Sequence, residues 1–261
     1  MHKKQLIFQP HPAGFFSNFN KVTHALSVYN EQVGEIIWQM IGEGMYQYHC
    51  DEVFSKLFKP YKESAACDES ITVQRYIDVK YTAHHVAEVY DSSDQSWRHD
   101  LNVVFSKYIK FTDLLDQTWN NIFAKQFEEQ ASTRIGILIR NNALNCEQPY
   151  QKLPEKQSYV DAIEQIQAEN KTVVCAIDNR EDLAFFTEKY KCIYNEHVSR
   201  SNTASDPETH LHNQLSCIDA AYHFLEAYAL SKCDYLIHPV SNISTAALYM
   251  NPKLQSIFLK K

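Results

Sequence analysis

Arg140, Asp178 and the cluster Ser241, Asn242, Ser244 and Thr245 share one setting: each follows a short apolar run. Ile135–Ile139 leads into Arg140. Thr172–Ile177 leads into Asp178. Tyr235–Ile237 leads through Pro239 into the polar cluster, which opens a helix. A guanidinium can grip a pyrophosphate with two parallel hydrogen bonds, and it stays charged at any working pH. A helix start rich in hydroxyls and amides receives anions, because its N–H groups point outward and its dipole favours negative charge. A third strand end carries a carboxylate. Together these groups describe a nucleotide-diphosphate crevice at the edge of a parallel sheet.

The surrounding elements supply that sheet. From Arg134 onward strands and helices alternate strictly. IGILIR, TVVCAID, KCIYNEHV, YLIHP and LQSIFL read as strands. Tyr159–Glu169, Glu181–Lys189 and 216–231 read as helices between them, with another after Pro239. Such alternation requires parallel strands and right-handed crossovers.

The first half opens in a similar way. Gln5–Phe8 reads as a strand, followed by a loop at Gly14. Phe19, Val22, Leu26 and Tyr29 recur at helical spacing, and Gly34 is expected to close that helix before a strand over Glu35–Trp38. Residues 42–96 read as irregular structure with short helices. Trp97–Lys110 and Asp113–Gln130 show helical periodicity. A boundary near 130 then gives two Rossmann-like α/β domains, 1–130 and 131–261, expected to face each other across a cleft.

Composition narrows the class. The 261 residues carry a net charge of −7 and 44% hydrophobic residues, enough for real cores. The acidic balance argues against nucleic acid as the main partner. The seven cysteines form no C-x-x-C pair. Several sit inside apolar segments as free thiols, which implies a reduced, cytoplasmic setting. The apolar run near the N-terminus is too short for a signal peptide, and no segment approaches membrane-spanning length.

These residues, in this order, resemble the GDP-fucose-using fucosyltransferase superfamily. The resemblance rests on Ile137-Leu138-Ile139-Arg140, on Ala176-Ile177-Asp178-Asn179, and on Glu226 through Leu230-Ser231 to Asp234, followed by Ser241-Asn242. The opening loop Gly14–Asn20, and Arg200-Ser201 with His210 downstream, are also similar to bacterial members. The resemblance implies a GT-B architecture of two facing Rossmann-like domains. It implies a GDP-sugar donor, a glycan or protein acceptor, and transfer with inversion. No cofactor or metal is expected beyond the donor itself. It departs from the family pattern at Leu138, Asn141, Asn142, Asn179 and Glu226. A non-catalytic nucleotide-sugar binder is therefore the competing reading, and a nucleotide-binding α/β enzyme of other chemistry is a further one.

Each candidate has a plainer role beside the functional one. Arg140 is expected to neutralise the leaving diphosphate, against simple pairing with a surface acid. Asp178 either caps the helix at Glu181 or receives the nucleotide base. Ser241, Asn242 and Ser244 either cap a helix or hold phosphate and ribose. Glu226, on an apolar helix, orients a loop or touches donor. Arg200, Ser201 and His210 lie in a polar loop, which is either solvated surface or part of the donor site. Gly14 and Asn18 make either a tight turn or a backbone loop near the donor phosphate. Glu147, on the loop after Arg140, is the candidate catalytic base. His84-His85 and His210-x-His212 lack metal-ligand spacing and read as surface histidines.

Overall fold

The computed structural model describes residues 3–8, 15–38, 53–63, 67–73, 90, 95–128, 133–140, 154–203 and 217–260. The chain divides into two compact units. One comprises Met1–Thr118 with His212–Ala221, the other Trp119–Leu211 with Tyr222–Lys261. The division thus falls at Thr118, ahead of the boundary expected near 130, and a short later segment joins the first unit.

The first unit contains β1 (Lys4–Phe8), α1 (Phe15–Tyr29), β2 (Val33–Trp38), α2 (Val53–Leu57), β3 (Tyr61–Lys62), β4 (Glu69–Val73) and α3 (Ser96–Tyr108), with α4 (Asp113–Trp119) at its boundary. Its sheet runs β3-β2-β1-β4. β1 is parallel to β2 and β4, and β3 is antiparallel to β2. α1 forms as the periodicity requires, because Phe15, Phe19, Val22 and Leu26 are all buried. An aromatic core joins sheet and helices: the Phe8 and Trp38 rings lie 5.6 Å apart, Phe19 and Phe58 5.5 Å, and Trp38 and Phe54 5.7 Å. Each such ring contributes about 1.5–3 kcal/mol on burial.

Gly34 does not close α1. The helix ends at Tyr29, passes through a 3-10 turn over Asn30–Gln32, and Gly34 lies inside β2. A Cβ at Gly34 would come within 2.9 Å of Cys67 Sγ and 2.9 Å of Lys3 Cβ, so glycine here permits a close backbone approach. β3 and β4 also correct the expectation of purely irregular and helical structure over 42–96.

In the second unit a π-helical stretch, Asn120–Ala124, leads into α5 (Lys125–Glu128). β5 (Thr133–Ile139), α6 (Lys156–Gln165), β6 (Lys171–Ile177), α7 (Arg180–Lys189) and β7 (Cys192–Tyr194) follow. α8 (Cys217–Ser231), which belongs to this unit from Tyr222 onward, β8 (Tyr235–His238), α9 (Asn242–Met250) and β9 (Gln255–Phe258) complete it. The strand order is β7-β6-β5-β8-β9, with every pair parallel. The chain winds outward from β5 in one direction and then resumes on its other side, so a topological switch point lies between β5 and β8.

β5 and β6 are buried on both faces, which explains their nearly continuous apolar sequences. One face packs Ile135, Ile137 and Ile139 with Tyr159, Ile163, Val173, Ile177 and Phe186. The Tyr159 hydroxyl, buried there, donates to the Leu138 carbonyl at 3.0 Å. At Gly136, an added Cβ would sit 3.0 Å from Leu230 Cδ2 and 3.3 Å from Cys233 Sγ, which shows how closely α8 approaches the sheet. Cys67, Cys175, Cys192 and Cys233 are free thiols. Cys217 is disulfide-bonded, which the expectation of a reduced setting does not include. No helix among the described residues is long and apolar enough to cross a membrane.

Candidate functional site at the carboxyl edge of the second sheet

The parallel register brings Arg140, Asp178 and the turn before α9 to one edge. Ile139 pairs with Ile177 across β5 and β6, so Arg140 and Asp178 leave adjacent strands one residue later. Ile137 pairs with Ile237 across β5 and β8, so the turn Pro239–Ser241 emerges beside Arg140 on the opposite flank. Arg140 and Asp178 are partly exposed at these ends. A cation therefore stands at the switch point, with a carboxylate on one side and a helix start on the other.

The helix start is tightly organised. Ser241 is the N-cap of α9, and its hydroxyl accepts from the Ile243 N–H at 3.2 Å. The Ser244 hydroxyl donates to the Ser241 carbonyl at 2.8 Å and lies 3.3 Å from that of Pro239, while Thr245 Oγ1 reaches the Ser241 carbonyl at 3.1 Å. The hydroxyls of Ser244 and Thr245 thus turn back onto the loop and fix it. Partly exposed Asn242 begins the helix. His238 ends β8 fully buried, with Nδ1 2.9 Å from the Pro239 carbonyl and Nε2 2.8 Å from Ser256 Oγ, so the turn is braced on its inner side too. Sequence reasoning passed over His238, because its partner Ser256 comes from a separate strand.

The cap of α7 falls on Asn179 and not on Asp178. Asn179 Oδ1 accepts from the Asp182 N–H at 2.8 Å, and its amide donates to Asp182 Oδ2 at 2.8 Å and to Asp178 Oδ1 at 3.2 Å. The N–H groups of Arg180 and Glu181 donate to the carbonyls of Ser201 and Asn202. Backbone carbonyls thereby occupy this helix start, and Asp178 is released from the capping role.

Arg200 and Glu226 form a buried ion pair at 2.6 Å. The guanidinium also donates through Nε to the Ile177 carbonyl at 2.9 Å, and through Nη1 to the carbonyls of Asn195 at 2.7 Å and Val198 at 3.1 Å. Ser201 docks alongside Asp178: its N–H donates to the Asp178 carbonyl at 3.1 Å, and residues 179 and 201 form a parallel bridge. Burial pushes the Glu226 carboxyl up to about 7. Arg200 pulls it down, the negative charge of Asp178 raises it, and Arg140 lowers it. Burial outweighs the adjacent cation, as happens where desolvation is complete.

Asn18 lies in the first unit, buried in the opening turn of α1. Gly14, Glu147 and His210 fall outside the described residues. Among the described residues no group of three His, Cys, Asp or Glu side chains is placed to hold a metal ion.

No protein-family profile matches the chain, and no curated protein matches it by sequence. Solved structures do match. The NodZ alpha-1,6-fucosyltransferase co-crystallized with GDP superposes with a TM-score of 0.58 at 12% identity, over 97% of this chain and 94% of that one. The same enzyme soaked with GDP-fucose gives 0.57 at 13% identity, over 96% and 93%. A fucosyltransferase from Arabidopsis thaliana in complex with GDP gives 0.47 at 10% identity, over 99% of this chain and 71% of that one. At such identities the likeness is one of fold. By fold, this chain is a GT-B-like α/β protein, similar in structure to the NodZ alpha-1,6-fucosyltransferase.

Proposed function

We propose that the chain is a glycosyltransferase that moves a hexose, fucose by analogy with its structural neighbours, from a GDP donor to a glycan or protein acceptor. The carrying observation is the convergence of Arg140, Asp178 and the Ser241-capped start of α9 on adjacent strand ends of one parallel sheet. In this reading the diphosphate lies between Arg140 and the helix start. Ser241, Asn242 and Ser244 shape the turn that meets phosphate or ribose, and Asp178 accepts hydrogen bonds from the base. The resemblance assigns Gly14, Asn18 and His210 to donor binding.

The chemistry follows from where charge develops. As the glycosidic bond to phosphate breaks, negative charge builds on the departing diphosphate. Arg140 therefore binds the transition state more tightly than the ground state. It supplies the charge that other transferases take from a metal, and the acceptor oxygen attacks the opposite face with inversion. Glu147 is assigned as the base that takes the acceptor proton.

A thermal-shift panel of GDP, UDP and ADP, followed by GDP release from GDP-fucose, tests the reading. A shift largest for GDP, together with turnover, is expected. Preference for UDP or ADP overturns the donor assignment. A GDP-selective shift without turnover on any acceptor overturns the transferase and leaves a binder.

A further inference from the structure

Arg200 and Ser201 hold the backbone on both sides of the Asp178 side chain. The Ile177 carbonyl, immediately before Asp178, accepts from Arg200 Nε at 2.9 Å. Asp178's own carbonyl accepts from the Ser201 N–H at 3.1 Å, and the Ser201 hydroxyl lies 3.2 Å from it. Two consecutive residues thus fix both peptide planes that meet at the Asp178 Cα, and with them the direction in which its carboxylate leaves the strand.

The grip has its own anchors. Arg200 reaches the carbonyls of Asn195 and Val198, past the end of β7, and the Glu226 carboxylate on α8. Arg200 is 8% exposed. With its guanidinium committed to four such bonds, at most one N–H is left for anything else. The side chain is arranged to brace three elements, not to meet a nucleotide.

The geometry points to Arg200 as a positioning residue that sets base selectivity by holding Asp178, without itself touching the donor. This replaces the direct donor contact expected from its place in the sequence, and it rests on the donor-site reading above. Lysine cannot supply the planar fork that joins Ile177, Asn195, Val198 and Glu226, although it keeps the charge beside Glu226. Arg200→Lys therefore loosens Asp178 and leaves Arg140 and the α9 turn in place.

The test is a pair of double-mutant cycles read by calorimetric titration with GDP, ADP and inorganic pyrophosphate. Arg200→Lys is expected to weaken GDP about tenfold, to erode the preference for GDP over ADP, and to leave pyrophosphate within about twofold. Combined with Asp178→Asn it is expected to add little further loss. Combined with Arg140→Ala the losses multiply. A role confined to stability predicts independent losses in both cycles, and that outcome, or an equal loss of GDP and pyrophosphate, overturns the inference. Should Arg200→Lys not fold, the paired change Arg200→Met with Glu226→Leu removes both buried charges and carries the same cycles. If the wild-type protein binds no GDP, the donor reading fails first. If it binds GDP and the Asp178 cycle is multiplicative, only the positioning role fails.

Discussion

Arg140 and Asp178 leave neighbouring strands at matched height, and the Asp178 N–H donates to the carbonyl of Ile139, directly before Arg140, at 3.1 Å. A backbone bond therefore sets the spacing between a cation and a carboxylate at the switch point. Two groups of opposite charge thus leave neighbouring ends of rigid strands rather than loops.

Arg140→Ala should weaken GDP binding by about 2–3 kcal/mol, the usual worth of a charge-assisted hydrogen-bonding partner to a buried anion. Titration of GDP against the variant measures it. An unchanged affinity removes Arg140 from the site.

Asn179→Ala should cost about 1–2 kcal/mol of stability, because α7 loses its cap and buried Asp182 loses an amide donor. Denaturant melts of wild type and variant give the difference. Asp178→Asn, by contrast, should leave stability nearly unchanged and lower affinity for GDP, since the cap does not depend on it.

Gly136→Ala places a methyl group 3.0 Å from Leu230 Cδ2 and 3.3 Å from Cys233 Sγ. One side chain must give way or α8 must shift, at a cost of about 1–3 kcal/mol. A lowered melting temperature is expected. An unchanged value means that Leu230 repacks freely.

Glu226 gives the stability a pH dependence. Its carboxyl is raised to about 7 in the fold, above its ordinary value of 4.5. Between those values the folded protein binds a proton that the unfolded chain does not. Glu226 thus contributes stability that is fully present below about 4.5 and is lost as pH rises toward 7, by at most about 3 kcal/mol. Melts across this range should show the decline in wild type and a flatter profile in Glu226→Gln. A profile unaffected by that substitution contradicts the assignment.

The sequence made the second sheet legible because β5 and β6 are buried on both faces and so read as unbroken apolar runs. The same logic hid β4. Its Glu69, Ser70 and Thr72 are exposed and only Val73 is buried, so an edge strand looked like loop. Gly34 reads as a helix stop because glycine commonly ends helices. Its actual role, the crossing of Lys3 and Cys67, is a contact between distant residues. At the end of β6, two adjacent residue types both favour caps, and only the hydrogen bonds distinguish Asn179 from Asp178. Arg200 shows the limit most clearly. Its type and loop position point to a ligand, but three of its four partners are backbone carbonyls, at 177, 195 and 198, which carry no side-chain signal in the sequence.

A crystal soaked with GDP tests the central claim most directly. The diphosphate is expected between Arg140 and the first turn of α9, with the guanine on the Asp178 side of β5. Nucleotide bound at the opposite edge of this sheet, or with its phosphates away from Arg140, contradicts it.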